Sequence, residues 1–194
     1  ASYANTHNVK RFIFLSSIKV NGDMTFSEYS HLIDPGQNNL PDYFESNLNY
    51  VPKDPYALSK YEAELALCEL EREIQTTIFI IRPPLVWGRE AKGNIAKLKK
   101  LIKLSIPLPF KLVNNERSVI SRENLCDFLA FISDIKKHND LGNETFLIAD
   151  KTDISFADMI RNIAYSQKKK TLLFDFPVTW MIRLLNFMGL KRIS

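Results

Sequence analysis

The sequence predicts an α/β fold, with part of a parallel sheet followed by a smaller elaboration that shapes a pocket. Three observations carry that prediction. RFIFLSS (11–17) and TTIFIIR (76–82) are short apolar runs without alternation, as expected of parallel strands covered on both faces. Between them, DPYALSKYEAELALCEL (54–70) opens with a helix-start signature and goes on with helical spacing. Strand, helix, strand in that order is one crossover unit of an α/β sheet.

Each element has a local reason. Asp54 offers an N-cap and Pro55 suits the first helical turn. Leu58, Tyr61, Leu65 and Cys68 continue the helix as a stripe, which should end near Glu73. A polar stretch rich in Asn, Pro and Asp occupies about 21–53, ahead of the helix. After Pro83-Pro84 the texture changes, to a helix over 93–104, the Pro-broken SIPLPF, a short strand RSVIS and a helix over 122–136. ETFLIAD (144–150) reads as a further strand, and Ser155 with Asp158 forms a capping-box pattern that opens a helix to about Ser166. TLLFDF (171–176) is strand-like, and Pro177 begins a last helix. The expected division is 1–85 in the sheet domain and 86–194 in the elaboration, with 144–150 a candidate for return to the sheet.

Composition narrows the class. A chain of 194 residues that is 45% apolar can bury a core as one domain or one and a half. Cys68 and Cys126 sit among apolar residues without metal-ligand spacing, so they read as reduced core thiols of a cytoplasmic protein with no metal site. No apolar run is long enough to span a bilayer; PVTWMIRLLNFMGL is interrupted by Arg183 and Asn186. The polar opening ASYANTHN does not read as a signal peptide. The net charge of +4 is mild, with clusters at KLKKLIK (97–103), KKK (168–170) and KR (191–192). The first reads as a solvated helix face around Leu98, Leu101 and Ile102. Without aromatic interleaving or a binding motif, no nucleic-acid partner is expected.

Tyr56 and Lys60 stand four apart, which on a helix puts phenol and ammonium on one face about 6 Å apart along the axis. That spacing is cheap, since Tyr165 and Lys169 repeat it. Context separates the two pairs. A tyrosine titrating near about pH 10 is a poor base at neutrality, and a cation held beside it favours the phenolate. Such a group can take or return a hydroxyl proton while hydride moves between a carbinol carbon and a nicotinamide. A hydroxyl at a strand's C-terminal end would hold the substrate oxygen, and Ser17, with Ser16, ends RFIFLSS. Tyr165–Lys169 has no comparable serine before it and lies at the end of its helix. The six glycines are scattered, and none forms the glycine-rich turn with which a dinucleotide domain begins.

FIFLSSIKVNG, DPYALSKYEAE and IRPPLVWGRE occur in the order and texture of extended short-chain dehydrogenases/reductases, the NAD(P)-dependent nucleotide-sugar epimerase/dehydratase family. Members show a serine-rich strand end followed by V-Y-G, a P-Y-x-x-S-K helix start, then R-P-x-x-V-Y-G-P. The resemblance implies part of a doubly wound, Rossmann-like parallel sheet plus a smaller α/β substrate-binding portion. It also implies NAD or NADP as cofactor. By resemblance, Ser17 hydrogen-bonds the reacting sugar hydroxyl and Tyr56 is the acid/base. Lys60 likewise binds the nicotinamide ribose and favours the phenolate, and Pro84 falls where a loop closes over the nicotinamide. The stretch KGNIAKLKKLIKLSIPLPF…NNERSVISRENLCDFL is similar to the substrate domain of UDP-glucose and UDP-N-acetylglucosamine 4-epimerases and of UDP-N-acetylquinovosamine 4-reductases. On that likeness Asn94 contacts the UDP part and Arg117 holds its diphosphate, a role suited to a guanidinium fork. A UDP-sugar is then the expected small-molecule partner. A homodimer through two helices per subunit is the family's habit, the 56–73 helix being one of them.

The departures are specific. The glycine-rich N-terminal half is absent from these residues, so the isolated chain is expected to be weakly active or inactive. Ser17 and Tyr56 are 39 positions apart, longer than the family's usual spacing, which places an insertion or lid in 21–53. Asn21 and Trp87 stand where tyrosines are common. Ile18-Lys19 replaces the Asp-Glu pair with which 4,6-dehydratases shuttle protons, so a 4-epimerase or 4-keto reductase ranks above a dehydratase. The competing reading is a catalytically inactive or regulatory member of the fold. Retention of Ser17, Tyr56 and Lys60 together argues against it.

Overall fold

The computed structural model describes residues 1–22, 51–88, 94–111, 113, 115–134 and 141–175, without the Asn94 side chain. In chain order the elements are helix α1 (Ser2–Thr6), strand β1 (Arg11–Leu15), a 3₁₀ turn (Ile18–Asn21), α2 (Pro55–Leu70), β2 (Thr77–Arg82) and β3 (Leu85–Trp87). They continue with α3 (Asn94–Lys103), β4 (Glu116–Arg117), β5 (Val119–Ser121), α4 (Arg122–Ser133), β6 (Glu144–Leu147), β7 (Ile154–Ser155) and α5 (Phe156–Ser166). The chain forms two units: Ala1–Val86 with Ile120–Asp150, and Trp87–Val119 with Lys151–Ser194.

Unit 1 is built on a parallel sheet of order β1-β2-β6, with Phe12 opposite Ile78 and Ile80 opposite Thr145. Its middle strand explains the unalternated run. Ile78, Phe79, Ile80 and Ile81 are all buried, and successive residues face opposite sides. Ile78 and Ile80 pack with Phe12, Phe14, Ile74 and Leu67 of α2. Phe79 and Ile81 pack with Ile13, Phe146 and the α4 residues Phe128, Leu129 and Ile132. Helices thus cover both sheet faces. The second face adds edge-to-face ring contacts of Phe146 with Phe79 and Phe128, and the Arg11 guanidinium lies 4.5 Å from the Phe79 ring centroid.

Unit 2 has its own core. Ile95, Leu98 and Ile102 of α3 pack with Met159, Ile160, Ile163 and Ala164 of α5, together with Leu108 and Val119. The antiparallel pair β4–β7 sets Arg117 opposite Ile154. Ser155 caps α5, accepting from the Asp158 amide at 3.0 Å and donating to its carboxylate at 2.7 Å.

The predicted crossover unit and the capping box are both present. Four expectations change. The first helix ends at Leu70, and its buried residues are Ala57, Glu64 and Leu67, whereas Leu65 and Cys68 of the expected stripe are exposed. Cys126 is exposed too, so neither cysteine is a core thiol, because each falls on the solvent side of its helix. RSVIS splits into β4 and β5, and the next helix closes at Ser133. Within TLLFDF only Leu173 bridges, to Leu108, because no neighbouring strand among the described residues extends that pairing. The helix expected from Pro177 lies outside the described residues. The short α1 has no sequence signal beyond Ala1 and Ala4, which pack inward.

Ile80→Ala removes a side chain from the centre of the sheet and is expected to lower the unfolding free energy by about 2–5 kcal/mol. A lower urea midpoint at unchanged m-value would register it, with Leu172→Ala, at an exposed position, nearly neutral. The Asp158 carboxyl is held below the usual carboxylate range, first by the Ser155 hydroxyl and then by Arg161. A carboxyl depressed in the folded state adds stability above its unfolded pKa, and that stability disappears as pH falls through the folded value. The melting-temperature gap between wild type and Asp158→Asn should therefore be open at neutral pH and close in acid below the ordinary Asp range.

Candidate active site

The site is assembled from β1, the 3₁₀ turn, α2 and the end of β2, all in unit 1. Past Leu15 the strand pairing with 81–83 continues. The Ser16 amide donates to the Ile81 carbonyl at 2.7 Å and the Ile18 amide to the Pro83 carbonyl at 3.0 Å. Ser17 is bracketed between those two bonds in extended backbone. It caps the 3₁₀ turn, its Oγ accepting from the Lys19 amide at 3.3 Å. Gly22 closes the turn at φ 120, a conformation a side chain would resist.

Helix α2 starts where its sequence says. The Asp54 carboxylate accepts from the Ala57 amide at 3.0 Å, and Pro55 needs no amide partner in the first turn. Tyr56 follows at once, with its ring exposed. One turn later Lys60 donates from Nζ to the Leu15 carbonyl at 3.0 Å and lies 4.9 Å from the Phe14 ring centroid. Helix α2 also packs against the 3₁₀ turn. The structure thus brings Ser17 and Lys60 to the C-terminal end of β1, where ligands of parallel sheets bind, with Tyr56 one helical turn before Lys60. An ammonium carries three donors and Leu15 takes one, which leaves Lys60 able to bind hydroxyls. Pro84 is half-buried between β2 and β3.

Asn94 and Arg117 belong to unit 2. Asn94 begins α3, and its side chain lies outside the described residues. Arg117 is exposed on β4; with the Asn115 amide oxygen turned toward it, it donates from Nε at 2.9 Å and Nη2 at 3.0 Å. Tyr165 is 87% exposed at the end of α5.

Sequence reasoning missed a buried polar cluster next to this site. Arg82, the last residue of β2, meets the Glu64 carboxylate of α2 through Nε at 3.1 and 3.2 Å and through Nη2 at 2.5 Å. Its Nη1 donates to the Asn21 side-chain oxygen at 3.1 Å. The only signal available was Glu64 standing four residues after Lys60, and a glutamate on a helix ordinarily reads as solvated. Ser16 is buried as well, and its Oγ has no hydrogen-bond partner among the described residues.

Comparison with known proteins gives the family and the fold. The NAD-binding family described as "Male sterility protein" matches residues 2–113. UDP-glucose 4-epimerase of Vibrio cholerae is 38% identical over 185 residues, 95% of this chain and 51% of that protein. N-acetyl-alpha-D-glucosaminyl-diphospho-ditrans,octacis-undecaprenol 4-epimerase of Escherichia coli O157:H7 is 26% identical over 88% of this chain and 46% of its own length. The chain therefore spans about half the length of the curated relatives it matches. Among solved structures, UDP-glucuronic acid 4-epimerase from Bacillus cereus in complex with NAD superposes with a TM-score of 0.69 at 16% identity, covering 90% of this chain and 52% of that one. UDP-glucose 4-epimerase from Thermus thermophilus, in complex with NAD, gives 0.65 at 14% identity, over 91% and 54%. These likenesses place the fold in the doubly wound, Rossmann-like class anticipated from the two strands and their crossover helix. With the profile match and the crossover sheet together, the chain belongs to the NAD-binding epimerase family of short-chain dehydrogenases/reductases.

Proposed function

We propose that this chain carries the acid/base portion of an NAD(P)-dependent UDP-sugar 4-epimerase, with a 4-keto reductase as the variant using the same groups. The observation that carries the reading is the Lys60 ammonium held at the end of β1 by the Leu15 carbonyl, one helical turn from Tyr56 and beside the turn that Ser17 caps. The 4-epimerase names of both relatives favour epimerase over reductase.

The residues divide the work among them. The Ser17 hydroxyl holds the oxygen on the sugar's C4. Tyr56, exposed in the first turn of α2, takes the proton from that oxygen and returns it. Lys60 offers its remaining donors to ribose hydroxyls. A bound nicotinamide supplies the hydride chemistry at the same carbon. Pro84 borders the nicotinamide, Asn94 contacts the uridine part, and Arg117 binds the diphosphate through its fork. The residues present suit the nicotinamide end of a dinucleotide; no glycine-rich turn for its diphosphate occurs within these 194 residues. Assembly as a homodimer and a cytoplasmic location accompany the proposal as family expectations.

Tyr56→Phe in the full-length protein is expected to lower turnover of a UDP-hexose or UDP-N-acetylhexosamine by about 10²–10⁴-fold, with the melting temperature unchanged. Tyr165→Phe should leave turnover as it was. Wild-type turnover in Tyr56→Phe would sink the assignment. Arg117→Met is expected to raise KM for the UDP-sugar by about 10–100-fold, the loss of charge-assisted hydrogen bonds, with kcat little changed. Steady-state kinetics on the same protein would check it.

A further inference from the structure

The buried cluster behind the site does more than fill space. Glu64, Arg82 and Asn21 are 4%, 7% and 6% exposed, yet all three are polar. The guanidinium is shared: two of its nitrogens hold the Glu64 carboxylate in a fork, and the third reaches Asn21. Each member sits at a fixed offset from a residue of the proposed chemistry. Glu64 lies four residues after Lys60, on the same side of α2. Asn21 lies four after Ser17 and ends the turn that Ser17 caps. Arg82 lies between Ile81 and Pro83, whose carbonyls hold the amides on either side of Ser17.

We propose that Arg82, with Glu64 and Asn21, is a positioning network that fixes the Ser17 turn against the Tyr56–Lys60 helix. A buried ion pair is a poor device for stability alone, since apolar residues of similar volume commonly serve as well. An apolar trio cannot supply direction. The planar fork sets the rotation of α2 about its axis, and an N–H on Nη1 ties the turn to that same plane. Misplacement of reacting groups by about 1 Å can cost about 10²-fold in rate, so a fixed relation between the serine turn and the helix has catalytic value. The rate consequence rests on the function proposed above; the positional claim does not.

The test uses the full-length protein and two variants. Asn21→Leu leaves the Arg82–Glu64 pair in place while cutting its tie to the turn. Hydrogen exchange read by mass spectrometry should rise at least about tenfold over 18–22 and stay unchanged over 77–81, where the sheet is intact. With a UDP-sugar substrate, kcat should fall about 10–100-fold and KM should move less than about threefold. The double variant Glu64→Leu with Arg82→Met replaces the ion pair with apolar volume. It should melt close to wild type while keeping the raised exchange over 18–22 and the low kcat. Unchanged exchange over 18–22 in Asn21→Leu would overturn the network whatever the enzyme's substrate. Wild-type kcat and exchange in a well-folded double variant would reduce the cluster to a structural one. Absence of UDP-sugar turnover in the wild type would count against the function alone, because the exchange measurement needs no substrate.

Discussion

Strand Thr77–Arg82 has to be covered on both faces, and the arrangement of unit 1 follows from that constraint. Four consecutive large apolar residues, Ile78 to Ile81, cannot be satisfied by one layer of partners. At about 1.5–3 kcal/mol for each buried side chain, leaving either face open would forfeit several kcal/mol. One face therefore takes α2 and the other α4, with β1 and β6 alongside to satisfy the backbone. The site is a by-product of this packing. A parallel crossover returns the chain so that β1 and β2 end at the same edge, where Ser17 and Arg82 lie and where α2 begins.

Apolar burial does not by itself choose how α2 is turned. Rotating the helix toward Leu58, Leu65 and Cys68 would bury a greasier stripe than the one observed. The structure instead turns Ala57, Lys60, Glu64 and Leu67 inward, and leaves Leu65 48% exposed. What holds that orientation is the fork of Arg82 on the Glu64 carboxylate, together with the Lys60 bond to Leu15. Were Glu64 left without Arg82, a buried carboxylate would be uncompensated and the rotation would reverse in sign. Electrostatics thus decides the orientation of a helix whose position the hydrophobic effect decides.

Unit 2 follows simpler rules. Helix α3 buries Ile95, Leu98 and Ile102 and presents Lys97, Lys100 and Lys103 outward, while α5 answers with Met159, Ile160 and Ile163. Its polar contacts include the Ser155 cap and the bond from Ser118 to Asp153. Among its described residues nothing resembles the shared guanidinium of unit 1, where one side chain answers to three elements at once.

Much of this was legible in the residues. Unalternated apolar runs marked the two strands as doubly covered, because period-2 alternation vanishes when both faces are buried. Asp54-Pro55 and Ser155…Asp158 marked helix starts through hydrogen bonds that span only three residues. Tyr56–Lys60 differs from Tyr165–Lys169 in following a strand-end serine, again a matter of order along the chain. The exposure of Cys68 and Cys126, the lone bridge left of TLLFDF and the inward turn of Glu64 were decided only by tertiary structure. Helical periodicity says which residues share a stripe, and several stripes on α2 were plausible. Selecting among them required a guanidinium 18 residues away in sequence and an amide 61 away from that guanidinium, contacts that no local spacing encodes.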